Sequence, residues 1–330
     1  MRAVRLHAFG PAENLSYEST PAPLPGPGQV RIAVAAAGVH LLDTSLRKGI
    51  QGPPTPLPEL PTIPGREVAG TVDALGPDTD PAWLGRAVVV HLGFAPGGYA
   101  EYAVADAARL HPVPEGLDPA EAVAMIGTGR TTLGILQFAD LGPDSTALVP
   151  AAAGGIGTLL VQYAKNAGAT VIALAGGPAK TALAAANGAD LALDYTAPDW
   201  ADTVRAHHPG GATVLFDSIG GDTARTALGL LAPGGRHLVF GWSGGPLGLT
   251  DAEQDALTAR GVRTHHVLGP AMLRAVGAPD PLRVLETRAL AEAAAGRLRP
   301  AVRRYPLAEA ATAHRDLESR ATTGKVVLEP

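Results

Sequence analysis

The chain has 330 residues, of which 46% are hydrophobic, and its 26 basic and 31 acidic side chains leave a formal net charge of −5. Because a single hydrophobic core usually stops growing before this length, we expect two domains. The charges are spread without a basic block, which excludes nucleic acid as a partner, and the absence of cysteine excludes disulfides and every cysteine-containing zinc site.

The first ten residues, Met1–Gly10, alternate apolar and polar side chains as a β-strand does, and they lack the long apolar core of a signal peptide. No stretch of the sequence approaches the roughly 18 to 20 consecutive apolar residues that cross a bilayer. Together with the cysteine-free composition, which suits a reducing compartment, this predicts a soluble cytoplasmic protein without a membrane partner.

Up to about Leu117 the sequence is typical of short strands separated by turn residues, for example Val30–Ala35, Val68–Val72 and Ala87–His91. The stretch Gln51–Pro64 carries six prolines, which are incompatible with a helix or a central strand. We therefore expect a β-rich first part with an extended surface loop that borders a site.

From about Asp118 the pattern changes to helices alternating with short apolar strands, and this predicts a parallel, doubly wound sheet. The predicted strands are Ala147–Pro150, Val171–Ala175, Leu191–Leu193, Val214–Asp217 and His237–Phe240. After about Gly261 we expect an irregular stretch, and then helices at Ala289–Ala295 and Leu307–Ser319 and a last strand at Lys325–Leu328.

A turn of small residues follows the first of these strands, in the segment Thr146–Gly157, and a helix is predicted to follow it over Thr158–Ala167. Read as the pattern AxGxxG, the turn has its small residues at Ala152, Gly154 and Gly157. Such residues let the backbone approach a pyrophosphate and let the helix pack on its strand. An ordinary turn is the alternative, and the flanking strand and helix favour the dinucleotide site.

The end of the second strand indicates which dinucleotide is bound. NAD-specific sites carry an acidic residue there for the ribose 2′-hydroxyl, whereas this strand runs into Gly176 and, four residues on, Lys180. A lysine at this place favours a 2′-phosphate and therefore NADPH. Because the chain has only four lysines, the presence of one on this loop strengthens that interpretation. The alternative is that Lys180 is a solvated surface charge.

Six ordered segments resemble the zinc-free quinone oxidoreductases of the medium-chain dehydrogenase/reductase superfamily, the zeta-crystallin-like group. They are Gly38–Gly49, Ile63–Gly70, Ala151–Gly157, Asp217–Gly221, Phe240–Gly245 and Glu318–Gly324. The resemblance covers essentially the whole chain and implies an α/β fold, with a GroES-like β-rich substrate domain and a Rossmann doubly wound parallel-sheet domain. The substrate domain would comprise residues 1–122 and 262–330, and the NADPH-binding domain residues 123–261.

The same resemblance implies a set of cofactor-binding residues. The pyrophosphate would be held at Ala152, Gly154, Gly155, Ile156 and Gly157. The adenosine 2′-phosphate would be surrounded by Gly176, Lys180, Tyr195 and Arg320. The ribose and nicotinamide would lie near Ser218, Ile219, Phe240, Gly241 and Trp242.

The resemblance also implies that no zinc is bound. The positions that hold zinc ligands in the related alcohol dehydrogenases are His40, Arg66 and Thr128 here, a set that cannot form the tetrahedron of N, S and O donors that zinc prefers. A buried, hydrogen-bonded structural role for His40 is the alternative to a catalytic one. The family often has Asn at position 40 and Tyr at position 45, and this chain departs from it at both, with His40 and Ser45.

A quinone or enone that receives a hydride accumulates negative charge on its carbonyl oxygen, and the donors His40, Ser45 and Arg66 are candidates to stabilise it. Asp43 and Thr131 are candidates to orient these groups. Three functions remain open: NADPH-dependent quinone reduction, reduction of the double bond of unsaturated ketones or thioesters, and NADPH binding without catalysis. By resemblance we also expect a homodimer joined along the edge of the Rossmann sheet, with the apolar strand Arg263–Leu268 as a candidate seam.

Overall fold

A computed structural model describes residues 1–51, 56–241 and 244–330. The chain divides into two compact units. The first comprises Met1–Gly129, Ala289–Ala294 and Pro300–Pro330, and the second comprises Arg130–Arg288 and Ala295–Arg299. The boundary expected at residue 262 therefore falls inside the second unit, and the one expected at residue 123 falls inside the first.

The early part of the first unit is dominated by strands, as its turn-rich pattern indicates. Its elements are β1 (Arg2–Leu6), β2 (Leu15–Ser19), β3 (Gln29–Val39), α1 (Leu41–Arg47), β4 (Glu67–Leu75), β5 (Ala87–His91), β6 (Tyr102–Asp106), β7 (His111–Pro112) and α2 (Pro119–Ala124). Short 3-10 turns occupy Ala12–Asn14, Pro81–Trp83 and Ala107–Arg109, and a π-helical turn follows α2 at Met125–Gly129.

The second unit alternates helices and strands. Its elements are α3 (Arg130–Leu136), β8 (Thr146–Pro150), α4 (Gly155–Asn166), β9 (Thr170–Ala175), α5 (Pro178–Ala186), β10 (Leu191–Asp194), α6 (Trp200–His207), β11 (Ala212–Asp217), α7 (Gly221–Leu228), β12 (Leu231–Val239), α8 (Asp251–Ala259), β13 (Arg263–His266) and α9 (Pro270–Val276), followed by α10 (Pro281–Ala294).

The chain ends with elements of the first unit, which are β14 (Val302–Pro306), a 3-10 turn at Leu307–Glu309, α11 (Ala310–Glu318) and β15 (Lys325–Glu329). The sheet of this unit has the strand order β14-β15-β3-β4-β5-β7, and β6 also pairs with β3. Its core is formed by apolar side chains such as Val30, Ile32, Val88, Leu110 and Val326.

The register of this sheet decides which polar residues meet. In β15 and β3, which are antiparallel, Val326 lies opposite Val39, and in β3 and β4 Ala37 lies opposite Val68. These pairings bring the residue after β3, the first residue of β4 and the first residue of β15 to one end of the sheet. Glu67 also lies opposite His91 at the end of β5.

In the described part of the second unit, six parallel strands lie in the order β10-β9-β8-β11-β12-β13. The order reverses between β8 and β11, and in such sheets ligands bind beyond the carboxyl ends of the strands at this point. The predicted doubly wound sheet is thus confirmed. The expectation of an irregular stretch after Gly261 is wrong, because β13, α9 and α10 lie there. β13 lies within the expected strand Arg263–Leu268 and at the edge of the sheet, but its side chains are mostly exposed and not apolar.

Candidate functional site

The turn after β8 has the backbone geometry that its small residues predict. Gly154 caps α4, and Ala151 has a φ of 50°, a conformation uncommon outside glycine. A Cβ atom at Gly157 would lie 2.3 Å from the Ala151 carbonyl oxygen and 2.8 Å from the Ala152 Cα. Only glycine therefore lets this helix pack so closely on its strand.

The space over the start of α4 stays open by contrast. A Cβ atom at Gly154 would meet the Ala151 carbonyl oxygen at 3.3 Å, an approach that a small shift relieves. The helix begins at Gly155, three residues before the predicted start, so Gly155, Ile156 and Gly157 form its first turn. Amide groups of a first turn have no acceptor within their helix and can bind an anion.

The loop after β9 brings Gly176 and Tyr195 together, since a Cβ atom at Gly176 would lie 3.1 Å from the tyrosine hydroxyl. α5 begins at Pro178, which places Lys180 in its first turn. An acidic residue that the sequence reasoning missed, Asp194, ends the neighbouring strand β10. Its pKa is lowered by hydrogen bonds from the side chain and backbone of Thr196 and from the backbone of Gly177.

A buried carboxylate organises the end of β11. Asp217 accepts hydrogen bonds from the backbone N–H groups of Ile219 and Gly220, at 3.1 and 2.8 Å, and pairs with the His237 Nε2 at 3.1 Å. Burial raises the pKa of Asp217, but the bond from His237 and the two backbone bonds outweigh it, so the pKa lies below its usual value. Sequence reasoning assigned no role to Asp217 and His237 as individual residues.

The two motifs that end β11 and β12 are packed together. The Phe240 N–H donates to the Asp217 carbonyl oxygen at 2.9 Å, and a Cβ atom at Gly241 would lie 1.6 Å from the Ser218 carbonyl oxygen. The structure therefore brings together four of the proposed cofactor contacts, Ser218, Ile219, Phe240 and Gly241. Trp242 lies outside the described residues.

Two other predicted residues lie in different units from most of their proposed partners. Arg320 belongs to the first unit, whereas Lys180 and Tyr195 belong to the second. Thr131, in α3, belongs to the second unit, whereas the other predicted catalytic residues lie in the first. Their roles at these sites stay predictions.

In the first unit, three charged or titratable side chains meet at the end of the sheet. The His40 Nε2 lies 2.7 Å from the Glu67 Oε1 and 2.8 Å from the Lys325 Nζ, and Lys325 Nζ lies 2.8 Å from the other carboxylate oxygen, Glu67 Oε2. The side chains of Glu67 and Lys325 are 0% and 4% exposed, whereas that of His40 is 27% exposed. We call these three residues the His40 cluster.

Neighbouring charges dominate the protonation of Glu67. Burial by itself raises the pKa of Glu67, but the charges of His40 and Lys325, the hydrogen bond from His40 and the charge of His91 outweigh it. The pKa of Glu67 is therefore held well below its ordinary value. Sequence reasoning noted Glu67 only as part of a motif, and it missed Lys325, although this lysine begins an otherwise apolar strand.

A second polar group surrounds Asp43. It lies next to the described part (residues 56–64) of the proline-rich stretch Gln51–Pro64, which we call the prolyl loop. Asp43 Oδ2 accepts a hydrogen bond from the His40 backbone N–H at 2.8 Å and from the Tyr99 hydroxyl at 3.3 Å, and its other oxygen lies 3.8 Å from the Arg66 Nε. The Tyr99 hydroxyl also contacts the buried His314 Nε2 at 3.1 Å. Burial lowers the pKa of His314 to about 4. The half-buried Ser45 donates to the Leu41 carbonyl oxygen within α1.

A cavity of about 340 Å³ opens beside this group. Its wall is mostly apolar and is lined by Leu6, Asp43, Leu46, Arg47, Pro56, Leu57, Pro58, Glu59, Thr62, Pro64, Gly65, Arg66, Phe94 and Pro96. Among the described residues, the Arg47 Nε and Nη1 and the Arg66 Nε are buried without a hydrogen-bond partner. The described part of the prolyl loop thus borders a cavity, and the cavity offers cationic donors to a ligand oxygen.

The residues at the expected zinc-ligand positions do not fit a metal. Arginine has no lone pair to donate at Arg66, and the Nε2 of His40 already contacts the ammonium of Lys325. Over residues 1–51, 56–241 and 244–330, no group of three or more His, Cys, Asp or Glu side chains could hold a metal ion. No helix in that part of the chain is long and apolar enough to cross a membrane.

Comparisons with known proteins match both parts of the chain. Residues 26–115 match the alcohol dehydrogenase GroES-like domain, and residues 155–276 match the zinc-binding dehydrogenase family. A quinone oxidoreductase of Pseudomonas aeruginosa is 33% identical, over 100% of this chain and 99% of its own length. A 2-haloacrylate reductase of a Burkholderia species is 32% identical, over 99% and 98%.

A solved structure has the same fold over its full length. The Escherichia coli quinone oxidoreductase, complexed with NADPH, superposes with a TM-score of 0.85 at 27% identity and covers 100% of each chain. The expected family is confirmed, and with it the combination of a GroES-like and a Rossmann domain. This chain is an oxidoreductase and belongs to the quinone oxidoreductase group of the medium-chain dehydrogenase/reductase superfamily.

Proposed function

We propose that this oxidoreductase uses NADPH to reduce quinones, without a metal ion. The dinucleotide would lie at the carboxyl ends of β8 and β11, with its pyrophosphate on the first turn of α4. The open space at Gly154 and the close contact at Gly157 support this placement. Lys180 would bind the 2′-phosphate, and Asp217 would hold the Ser218–Gly220 turn beside the nicotinamide ribose. Bound there, NADPH supplies a hydride.

The proposal for the substrate rests on the cavity of the first unit. Its proline, leucine and phenylalanine lining suits a flat apolar ring, and Arg66 and Arg47 offer buried N–H groups without partners. A quinone oxygen becomes negative as the ring is reduced, and donors placed in a site that excludes water stabilise that charge. Asp43 would orient Arg66 for this contact.

A second candidate is the reduction of an activated carbon–carbon double bond. The relative named 2-haloacrylate reductase covers nearly the whole chain. Two arginines in one cavity also suit a substrate with a carboxylate, since a guanidinium binds carboxylates in a bidentate way. The same hydride source and the same cavity would serve this reaction.

The test is NADPH oxidation by the full chain against matched acceptors: neutral quinones, neutral enones and unsaturated carboxylates. Turnover that is fastest with quinones supports the first candidate, and turnover confined to unsaturated carboxylates supports the second. Arg66→Gln should slow turnover of the preferred acceptor without changing NADPH affinity. The control is Arg86→Gln, an arginine in the same unit that stacks on Trp83 away from the cavity lining. No NADPH oxidation with any acceptor would refute both.

A further inference from the structure

We propose that His237 is a positioning residue for the nicotinamide half of NADPH, and that it acts through Asp217 on the turn Ser218–Gly220. The inference rests on the proposed function, because it takes the dinucleotide to lie at the carboxyl ends of β8 and β11. His237 lies in β12 and its side chain is 1% exposed, so its effect on the cofactor is transmitted by hydrogen bonds and not by contact.

The register of three parallel strands places three polar side chains in one row. His237 in β12 lies opposite Leu215 in β11 and opposite Thr264 in β13. Asp217 is two residues beyond Leu215, and side chains two residues apart in a strand lie on the same face of the sheet. As a result, the His237 Nε2 lies 3.1 Å from the Asp217 Oδ2, and its Nδ1 lies 3.2 Å from the Thr264 Oγ1.

The direction of these hydrogen bonds follows from the charge of Asp217. Burial raises its pKa, but the hydrogen bonds from His237 and from the backbone of Gly220 and Ile219 hold the pKa below its usual value. An ionised carboxylate only accepts hydrogen bonds, so the His237 Nε2 carries a proton and donates it. The Thr264 hydroxyl both donates and accepts, and it therefore satisfies Nδ1 with or without a proton there. The arrangement needs no change of protonation.

The two oxygens of the Asp217 carboxylate have separate partners. Oδ1 accepts the backbone N–H groups of Ile219 and Gly220, at 3.1 and 2.8 Å, and Oδ2 accepts from His237. Without His237, Oδ2 would be a buried charged oxygen that has lost its donor, a state that costs free energy and favours rotation or protonation of the carboxylate. His237 thus holds the carboxylate in the orientation in which Oδ1 fixes the turn.

The turn depends on such an external hold because glycines form its end. Gly220 and Gly221 have φ values of 69° and 61°, in the left-handed region that favours glycine. A Cβ atom at Gly220 would lie 2.3 Å from the Gly245 carbonyl oxygen, and one at Gly221 would lie 2.4 Å from the Gly244 carbonyl oxygen. Glycine fits this close approach, but its backbone is the most free to leave one conformation. The side chain of Asp217 supplies the order that glycine lacks.

The test compares the binding of NADPH with that of adenosine 2′,5′-bisphosphate, the adenosine half of the same cofactor, by titration of the full chain. His237→Leu removes the donor to Asp217. Its NADPH affinity should fall roughly 10-fold, the scale of one lost hydrogen bond, while its affinity for the bisphosphate stays that of the parent. A merely structural role would weaken both ligands alike or neither.

Two further variants complete the design. His237→Gln keeps an amide N–H that can donate to Asp217, so it should restore the NADPH affinity of the parent. His207→Leu is the control, at an exposed histidine of the same unit whose Nδ1 contacts the Thr203 carbonyl oxygen within α6. If His237→Leu does not fold, His237→Asn takes its place, because this shorter polar side chain ends near the position of Nδ1 and does not reach Asp217.

Hydrogen exchange provides a readout without any ligand. The amides of Ile219 and Gly220 donate to Asp217, so they should exchange faster in His237→Leu than in the parent, and at the rate of the parent in His237→Gln and His207→Leu. Faster exchange spread evenly over the whole second unit would instead show a general loss of stability and overturn the positioning role.

Each outcome bears on one of the two proposals. A selective loss of NADPH affinity in His237→Leu that His237→Gln restores supports the positioning role. Equal losses for both ligands, no loss at all, or a His237→Gln variant that behaves like His237→Leu overturns it and leaves the proposed function intact. If neither His237→Leu nor His237→Asn folds, His237 supports the fold itself and the inference is overturned. A parent that does not bind NADPH overturns both.

Discussion

Gly127 lies directly against the carboxylate of Glu67, and a Cβ atom added there would come within 1.5 Å of Oε1. Gly127 sits in the π-helical turn Met125–Gly129, and Glu67 begins β4, so residues distant in the sequence share one space. The carboxylate is ion-paired on its other sides by His40 and Lys325, which limits its freedom to move.

Gly127→Ala should therefore destabilise the protein, because overpacking a tight interior contact costs about 1 to 3 kcal/mol. Thermal or denaturant unfolding of the variant measures this cost. Gly142→Ala is the control, since a Cβ atom there meets nothing within 4 Å among the described residues. Equal stability of the two variants would show that the π-helical turn yields to the side chain.

Gly154→Val and Gly157→Val should act on different properties. The Gly157 position touches Ala151 and Ala152, so a valine there should lower the melting temperature by the equivalent of about 1 to 3 kcal/mol even without cofactor. The Gly154 position is more open, so a valine there should chiefly weaken NADPH binding. NADPH titration and thermal melts of both variants test this. Unchanged NADPH affinity in Gly154→Val would contradict the placement of the pyrophosphate.

Lys180→Ala should weaken NADPH binding by about 1.5 to 3 kcal/mol and leave NADH binding nearly unchanged, since a charge-assisted bond to the 2′-phosphate is lost. The same is expected of Arg320→Ala. Lys165→Ala is the matched control, because this lysine pairs with Asp190 on the surface of the second unit. Equal affinity of the parent for NADPH and NADH would refute the preference itself.

The purified protein should carry no stoichiometric zinc and should keep its activity in a chelator. The reason is the donor set, because Arg66 offers no lone pair and His40 Nε2 faces the Lys325 ammonium. Elemental analysis and assays with and without chelator decide the matter. One zinc per chain, with activity lost on chelation, would mean that the ligands lie elsewhere in the protein.

His314 should contribute to acid unfolding. Burial lowers its pKa from 6.5 to about 4, so the unfolded chain binds this proton more tightly and stability falls as the pH drops from 6.5 toward 4. Once the pH has fallen below 4, the resulting loss in the free energy of unfolding amounts to about 3 kcal/mol. Unfolding free energies of the parent and of His314→Gln, measured across this range, should differ in slope, with the variant flatter. If the unfolding free energies of the parent and the variant fall in parallel with pH, His314 does not contribute to acid unfolding.

The sequence alone determined the features that depend on local pattern. A short apolar run bounded by turn residues predicted β5 with both bounds correct, and the alternation of helices with short apolar strands predicted the doubly wound sheet, because such patterns are set by neighbouring residues. Its small residues marked the turn before α4, since steric limits there act within a few residues. The order of its motifs identified the family.

Tertiary structure decided what local pattern does not encode. His40 and Lys325 are 285 residues apart, and only the pairing of β15 with β3 brings them together. The strand at Arg263–Leu268 was expected to be apolar, whereas the side chains of β13 are mostly exposed, and this depends on the packing of the sheet. The charged cluster at Glu67 was missed for a related reason. A buried ion pair is stable only where its partners and the space left by Gly38 and Gly127 coincide, and that coincidence arises from the packing of the whole sheet.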